Sequence, residues 1–183
     1  MARPRGSGMI GGVTSLARRV YGTAHLTGEF TLRSGQVSNE YFDKYLLESD
    51  PGLLRELAER MAPLVPDGTE ALAGLELGGV PVATILSQVT GLPTLFVRKK
   101  AKDYGTCKLA EGGELAGRRV TIVEDVVTSG GQVVLSAGDL RERGAELGVV
   151  LCLIDGEAGG REALADIGLE LRALFTMTEL KGA

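Results

Sequence analysis

The sequence predicts a single α/β domain on a mostly parallel, doubly wound sheet flanked by helices, and three observations carry that expectation. Beyond about residue 70, β-rich runs alternate with helical ones, the signature of parallel strand order. The strand-like runs are apolar at nearly every position, as in a sheet covered on both faces. A chain of 183 residues, 44% hydrophobic and 24% charged, has the size and balance of one globular domain with a real core.

Taken in order, "VTSLARRVYGTAHL" places Val13, Leu16, Ala17 and Val20 on one helical face, with Ser15 as a cap, after a start over 1–12 read as disordered. "SDPGLLRELAERMAPLVP" opens on Ser49 or Asp50 as cap, has Pro51 in its first turn and stops at Pro66, which predicts a helix over about 51–64. Then follow "EALAGLEL", "VPVATILSQVTG", "PTLFVRKK", "RRVTIVED", "GGQVVLSAGDLRERGAE", "LGVVLCLIDG", "GREALADIG" and "LELRALFT", read as β-α-β-β-α-β-α-β. In such sheets ligands sit outside the carboxyl ends of the strands, where Glu76 to Val80, the basic cluster at 98–102 and the pair Glu124 and Asp125 all fall.

Composition excludes several classes. No apolar run approaches the roughly 20 residues of a membrane span, and the arginines of "MARPRGSGMIGGV" precede no apolar export segment, so neither membrane nor export is expected. Cys107 and Cys152 allow at most one bridge, and Cys152 lies in an apolar run that suggests a buried thiol, which fits a reducing cytoplasm. The net charge of −4 argues against nucleic acid as a partner, so the tight cluster Arg98, Lys99, Lys100 and Lys102 needs its own explanation. Glycine, at 27 residues, is about twice its usual share of roughly 7% and implies tight turns or close backbone approaches. His25, with no partner cluster in the sequence, reads as structural or solvated.

The chemistry concentrates in "VTIVEDVVTSGG", where the strand "VTIV" runs into two acids and then into a helix from about Gly131. Thr128, Ser129, Gly130 and Gly131 bring hydroxyls and unobstructed N–H groups to a helix N-terminus, a common physical solution for a phosphate. The spacing is neither a Walker loop nor a dinucleotide-binding glycine turn. Glu124 and Asp125 can accept hydrogen bonds from two vicinal hydroxyls or stand near a metal ion bridging them. A phosphorylated ribose matches both halves, whereas an isolated D-x-x-T-S-G reads as a turn and a helix cap.

This stretch resembles the phosphoribosyl pyrophosphate (PRPP) motif of type I phosphoribosyltransferases. "GEFTLRSGQVSNEYFD", "LELGGVPVATIL" and "FVRKKAKDYGTCKLAEG" are similar to successive hallmarks of the orotate phosphoribosyltransferase family. The resemblance runs from about 13 to 180 and implies the type I fold with a small N-terminal hood (about 13–45) on an α/β core (about 50–180). It implies transfer of phosphoribosyl from PRPP to orotate, with Mg²⁺, in pyrimidine synthesis, by a homodimer with shared active sites. It implies PRPP contacts from Arg98, Lys99, Lys102, Tyr104, Gly78, Gly79, Glu124, Asp125, Val126, Val127, Thr128, Ser129, Gly130 and Gly131, with Lys99, Lys102 and Asp125 catalytic and Glu124 and Asp125 near the metal indirectly. Orotate falls to Arg33, Ser34, Gly35, Tyr41, Phe42 and Thr128, with the planar guanidinium of Arg33 suited to a planar carboxylate.

Displacement at the anomeric carbon passes through a cationic sugar, so the catalyst mainly positions groups and neutralises the departing pyrophosphate. The basic cluster supplies cations, and Gly105, Gly112 and Gly113 permit a loop that closes over the site. The resemblance has this loop reach the neighbouring subunit. Tyr104 stands where many relatives have histidine, Leu77 and Gly78 where some have an aromatic-lysine pair, Cys107 where glycine is frequent, and Gly156 where an arginine usually contacts the base. Gly156 keeps a phosphoribosyltransferase for another base open as an alternative, and a PRPP-sensing regulator without turnover is the reading from another class.

Overall fold

The structure, a computed structural model, describes residues 8–31, 35–100 and 109–183. Helix α1 (Gly8–Ala24) begins ahead of the Val13 expected from sequence. Leu16, Ala17 and Val20 are buried on one face of it, as the periodicity predicts. An antiparallel pair follows, β1 (His25–Thr31) and β2 (Val37–Phe42), with His25 opposite Phe42 and Thr31 opposite Val37. After the short helix α2 (Tyr45–Ser49), Asp50 caps α3 (Pro51–Met61), its carboxylate accepting from Gly52 and Leu53 N–H, each at 2.9 Å. A 3₁₀ turn over Ala62–Leu64 completes the run up to Pro66.

The core continues with β3 (Ala71–Leu75), α4 (Gly79–Thr90), β4 (Thr94–Val97), β5 (Ala110–Glu111), β6 (Arg119–Val127), α5 (Gly131–Glu142), β7 (Glu146–Asp155), α6 (Gly160–Ala165), β8 (Glu170–Thr176) and α7 (Met177–Lys181). Six strands form one sheet in the order β5-β4-β3-β6-β7-β8, parallel throughout except for the edge pair β4 and β5. The expected alternation holds. The sequence reading lacked the strands of the N-terminal pair, α2, the two-residue β5, and α7, which starts on a capping box between Thr176 and Glu179.

Helices cover both faces, as a doubly wound sheet requires. Leu57 of α3, Val82 and Leu86 of α4 and Val20 of α1 pack with Leu72, Val123 and Leu151 on one face. Val133, Ala137 and Leu140 of α5 and Leu164 of α6 pack with Ala73, Ile122 and Val150 on the other.

The topology creates a crevice at one place. From β3 the chain passes through α4 to β4 on one side, whereas from β6 it passes through α5 to β7 on the other. The connections therefore diverge between β3 and β6, and their carboxyl ends open there. Helix α4 meets this junction at glycine: a Cβ on Gly79 would collide with the Val123 carbonyl oxygen of β6. By helix propensity alone Gly79→Ala stabilises by up to about 1 kcal/mol. The contact reverses that sign, and we expect a loss of about 1–3 kcal/mol in urea unfolding; a gain in stability would contradict this packing.

Candidate functional site

Strand β6 does not stop at the acids, where the sequence run "RRVTIVED" ends, but carries Glu124 and Asp125 inside it and continues to Val127. Glu124 lies opposite Cys152 and Val127 opposite Asp155 on β7. Val123 and Val126 pack towards the same core although they are three positions apart, so the side-to-side alternation of the strand is interrupted at the two acids.

Asp125 is almost wholly enclosed, at 1% exposure. Its Oδ1 accepts from the Val126 N–H at 2.6 Å, and its Oδ2 lies 2.6 Å from the Nζ of Lys44, which enters from the N-terminal segment. Burial opposes the Lys44 charge, but hydrogen bonding to Asp125 and the acidic surroundings outweigh it and hold the ammonium above its ordinary range. One turn along α2, Glu48 closes on the same carboxylate. Its Oε1 and Asp125 Oδ2 are both buried acceptors, and a proton retained on Glu48 supplies the donor between them. Burial first, then Asp125, pushes the Glu48 carboxyl up to about 8; burial and the Asp125 charge likewise push Glu124 up to about 8.

The turn between β3 and α4 forms the second wall. A Cβ on Gly78 would land on Asp125 Oδ2 and lie 3.0 Å from Glu48 Oε1, so only glycine lets this turn approach the acids. As the first helical residue, Gly79 has no intrahelical acceptor for its N–H. The N–H of Val80, the next residue, donates to the Leu77 carbonyl at 3.1 Å. Glu76 Oε2 accepts from the Lys99 N–H at 3.0 Å and joins this turn to the end of β4. The described part of the basic cluster thus lies beside the turn, with Arg98 half-buried and Lys99 exposed. Lys102, Tyr104 and Cys107 lie outside the described residues.

The third wall is the turn after β6. Thr128 and Ser129 are exposed and Gly130, at φ 74°, caps α5. The Gly130 backbone approaches Gly160 so closely that a Cβ on it would meet the Gly160 Cα and O, each at 3.2 Å. The turn presents the orphan N–H groups of a helix start, as expected of a phosphate cradle. Gly156 backs directly onto it: its N–H donates to the Val127 carbonyl at 2.7 Å, and a Cβ there would meet Thr128 Cγ2 and Val127 O, each at 3.1 Å. A side chain at 156 therefore presses on Thr128.

On the hood side, Tyr41 and Phe42 line a hollow of about 320 Å³ together with Tyr21, His25 and Met177. Their rings take different neighbours, Tyr41 packing on Phe30 at 5.5 Å and Phe42 on Tyr21 at 6.4 Å between centroids. His25 is structural, as read: it stacks on Tyr21 and sits 2.9 Å from Glu40. Gly35 has φ 84°, while Arg33 and Ser34 lie outside the described residues. The sequence reading missed Lys44 and Glu48. The signal available was "DKYLLES", a lysine and a glutamate one helical turn apart directly after the aromatic pair. Among the described residues no group of three or more His, Cys, Asp or Glu side chains is placed to hold a metal. The carboxylates of Glu124 and Asp125 fit Mg²⁺ only where phosphate oxygens and water complete its shell.

Comparisons with known proteins bear on the fold and the family. The family model described as "Phosphoribosyl transferase domain" matches residues 51–167. The chain is similar to the orotate phosphoribosyltransferase of Nocardioides sp., 57% identical over 92% of this chain and 94% of that protein. Among solved structures it is similar to Mycobacterium tuberculosis orotate phosphoribosyltransferase in complex with Fe(III) dicitrate, at TM-score 0.83 and 30% identity over 92% of this chain and 98% of that one. The same enzyme in complex with PRPP matches at TM-score 0.79 and 27% identity, again over 92% and 98% of the two chains.

The raised Glu48 carboxyl has a thermodynamic consequence. A folded-state value of about 8 against an ordinary 4.5 means that the fold binds this proton more tightly than the unfolded chain does. Its contribution is present at low pH and is lost as pH rises from about 4.5 through about 8. Glu48→Gln should leave the thermal midpoint nearly unchanged at about pH 5 and raise it at about pH 9. An equal shift at the two pH values would contradict the buried carboxyl.

Proposed function

Because the chain belongs to the orotate phosphoribosyltransferase family, we propose that it transfers the phosphoribosyl group of PRPP to orotate, giving orotidine 5′-monophosphate and pyrophosphate in pyrimidine biosynthesis. The observation that carries this reading is the meeting, at the divergence of β3 and β6, of a buried acid pair, a helix-start phosphate cradle and a side-chain-free glycine turn. Glu124 and Asp125, with Val126 and Val127 shaping the approach, accept hydrogen bonds from the ribose hydroxyls, and Thr128 to Gly131 hold the 5′-phosphate. Gly78 and Gly79 admit the pyrophosphate. Arg98, Lys99 and Lys102, with Tyr104, neutralise charge as it leaves, the largest demand in a displacement through a cationic sugar. Glu124 and Asp125 would hold Mg²⁺ indirectly, and the ion would supply further neutralisation of the pyrophosphate charge. On the hood side Arg33, Ser34, Gly35, Tyr41 and Phe42 hold orotate against Thr128. The hood and core act as one domain, in a homodimer whose basic loop completes the neighbouring site. The buried free thiol of Cys152 supports a cytoplasmic setting.

A second reading, transfer to another base, is motivated by Gly156, which puts a bare backbone beside Thr128. A panel of bases with PRPP, followed by pyrophosphate release, separates the two. Orotate should exceed uncharged bases by about 10-fold or more in kcat/KM, since charged recognition contributes about 1.5–3 kcal/mol. Preference for an uncharged base would establish the second reading, and PRPP binding without turnover of any base would overturn both. For the shared site, mixing Lys102→Ala with Asp125→Asn protein should restore part of the activity through hybrid dimers. No recovery despite confirmed subunit exchange would contradict it.

A further inference from the structure

Lys44 is not among the residues so far given a role, yet its ammonium touches the most enclosed acid of the site. It directly follows β2 and Asp43 and begins α2, whose position is fixed by several contacts. The Asp43 N–H donates to the Ala24 carbonyl at 2.8 Å, Tyr45 N–H donates to Asp43 Oδ1 at 3.1 Å, and Leu47 is buried at 1% exposure. Its stem is therefore launched from an anchored turn, and the charge is delivered 2.6 Å from Asp125 Oδ2. Glu48 flanks the same oxygen from the next turn of α2, and Gly78 leaves room for the three to meet. Among the described residues no other cation lies within ion-pair distance of Glu124 or Asp125.

We infer that Lys44 is a positioning residue for the transfer reaction: it fixes Asp125 for the sugar, and it ties the strand carrying Tyr41 and Phe42 to the strand carrying the acid pair. The inference rests on the PRPP-dependent function proposed above. A carboxylate this enclosed depends on the ammonium of Lys44 to balance its charge, and removing one member of a buried pair leaves the other uncompensated. Without Lys44, the charge of Asp125 is left buried with no opposing charge, and Asp125 no longer presents a fixed acceptor. An anionic diphosphate then also meets the uncompensated charge of Asp125. The hood loses its ion-pair link to β6 in the same step.

The test measures PRPP affinity by calorimetry and both KM values and kcat by pyrophosphate release, for wild type, Lys44→Met and Lys44→Arg. Lys44→Met should weaken PRPP binding about tenfold or more and raise the KM for PRPP by a similar factor. The KM for orotate should rise as well, while kcat at saturation changes less. Lys44→Arg, which keeps the charge, should recover most of the loss. A variant that merely unfolds in part would lower kcat with unchanged KM, which separates damage from positioning. If Lys44→Met does not fold, Lys44→Gln carries the same test. Unchanged or tighter PRPP binding in a folded neutral variant, with wild type binding PRPP, overturns the role of Lys44 alone. Failure of wild type to bind PRPP overturns the proposed function and this inference with it.

Discussion

Two adjacent carboxylates buried near the end of an otherwise apolar strand have to be satisfied, and most of the arrangement around β6 follows from how that is done. Enclosing an ion without a partner costs several kcal/mol, so such a pair persists only where charge and hydrogen bonds are brought to it. Asp125 receives the Val126 N–H, the Lys44 ammonium and the Glu48 carboxyl; Glu124 is left with a carboxyl pushed up by burial and by its neighbour. The groups that satisfy Asp125 come from two places in the chain, β6 itself and residues 44–48, and the β3 turn closes on them at Gly78. The acid thereby fixes how the N-terminal segment, the β3 turn and β6 meet.

Glycine is what makes the meeting sterically possible. Where β3 and β6 diverge, one turn must come within contact of the acids, and beside it the turn after β7 must close on the turn after β6. Gly78 and Gly79 permit this on one side, and Gly130, Gly156 and Gly160 permit it on the other. The unusual glycine content of the chain is thus concentrated in effect, if not in number, at backbone approaches that leave helix-start N–H groups facing an open space. That is the physical form of an anion site, and its placement at the switch point of the sheet is what the topology dictates.

The parts of the fold legible in the sequence were those encoded locally. Continuous apolar runs marked β3, β4, β6, β7 and β8; Asp50 with Pro51 marked the start of α3; and the glycine pair at 130 and 131 marked the start of α5. The N-terminal strand pair escaped because its residues are half-exposed and mixed in polarity, with Val37 at 63% exposure, so no apolar run announces it. Strand β5 has two residues and exists by pairing with β4. The capping box "TMTE" before α7 was readable and was overlooked, since the apolar run before it drew the strand to its end. In the site, the acids and the cradle were legible because one stretch contains them. Lys44 and Glu48 were not, because a lysine and a glutamate one turn apart look like an exposed helical ion pair until the fold brings Asp125, far away in sequence, between them.

The acid pair and the turn after it are proposed to form one receptor for a phosphorylated ribose. The most direct measurement is a crystal structure of the protein with PRPP and Mg²⁺. The account predicts the 5′-phosphate within hydrogen-bond distance of the backbone N–H groups of Thr128 to Gly131, the ribose hydroxyls on Glu124 and Asp125, and the pyrophosphate beside Gly78 and Gly79. A 5′-phosphate bound away from the 128–131 turn, or a ribose that makes no contact with either acid, would contradict it.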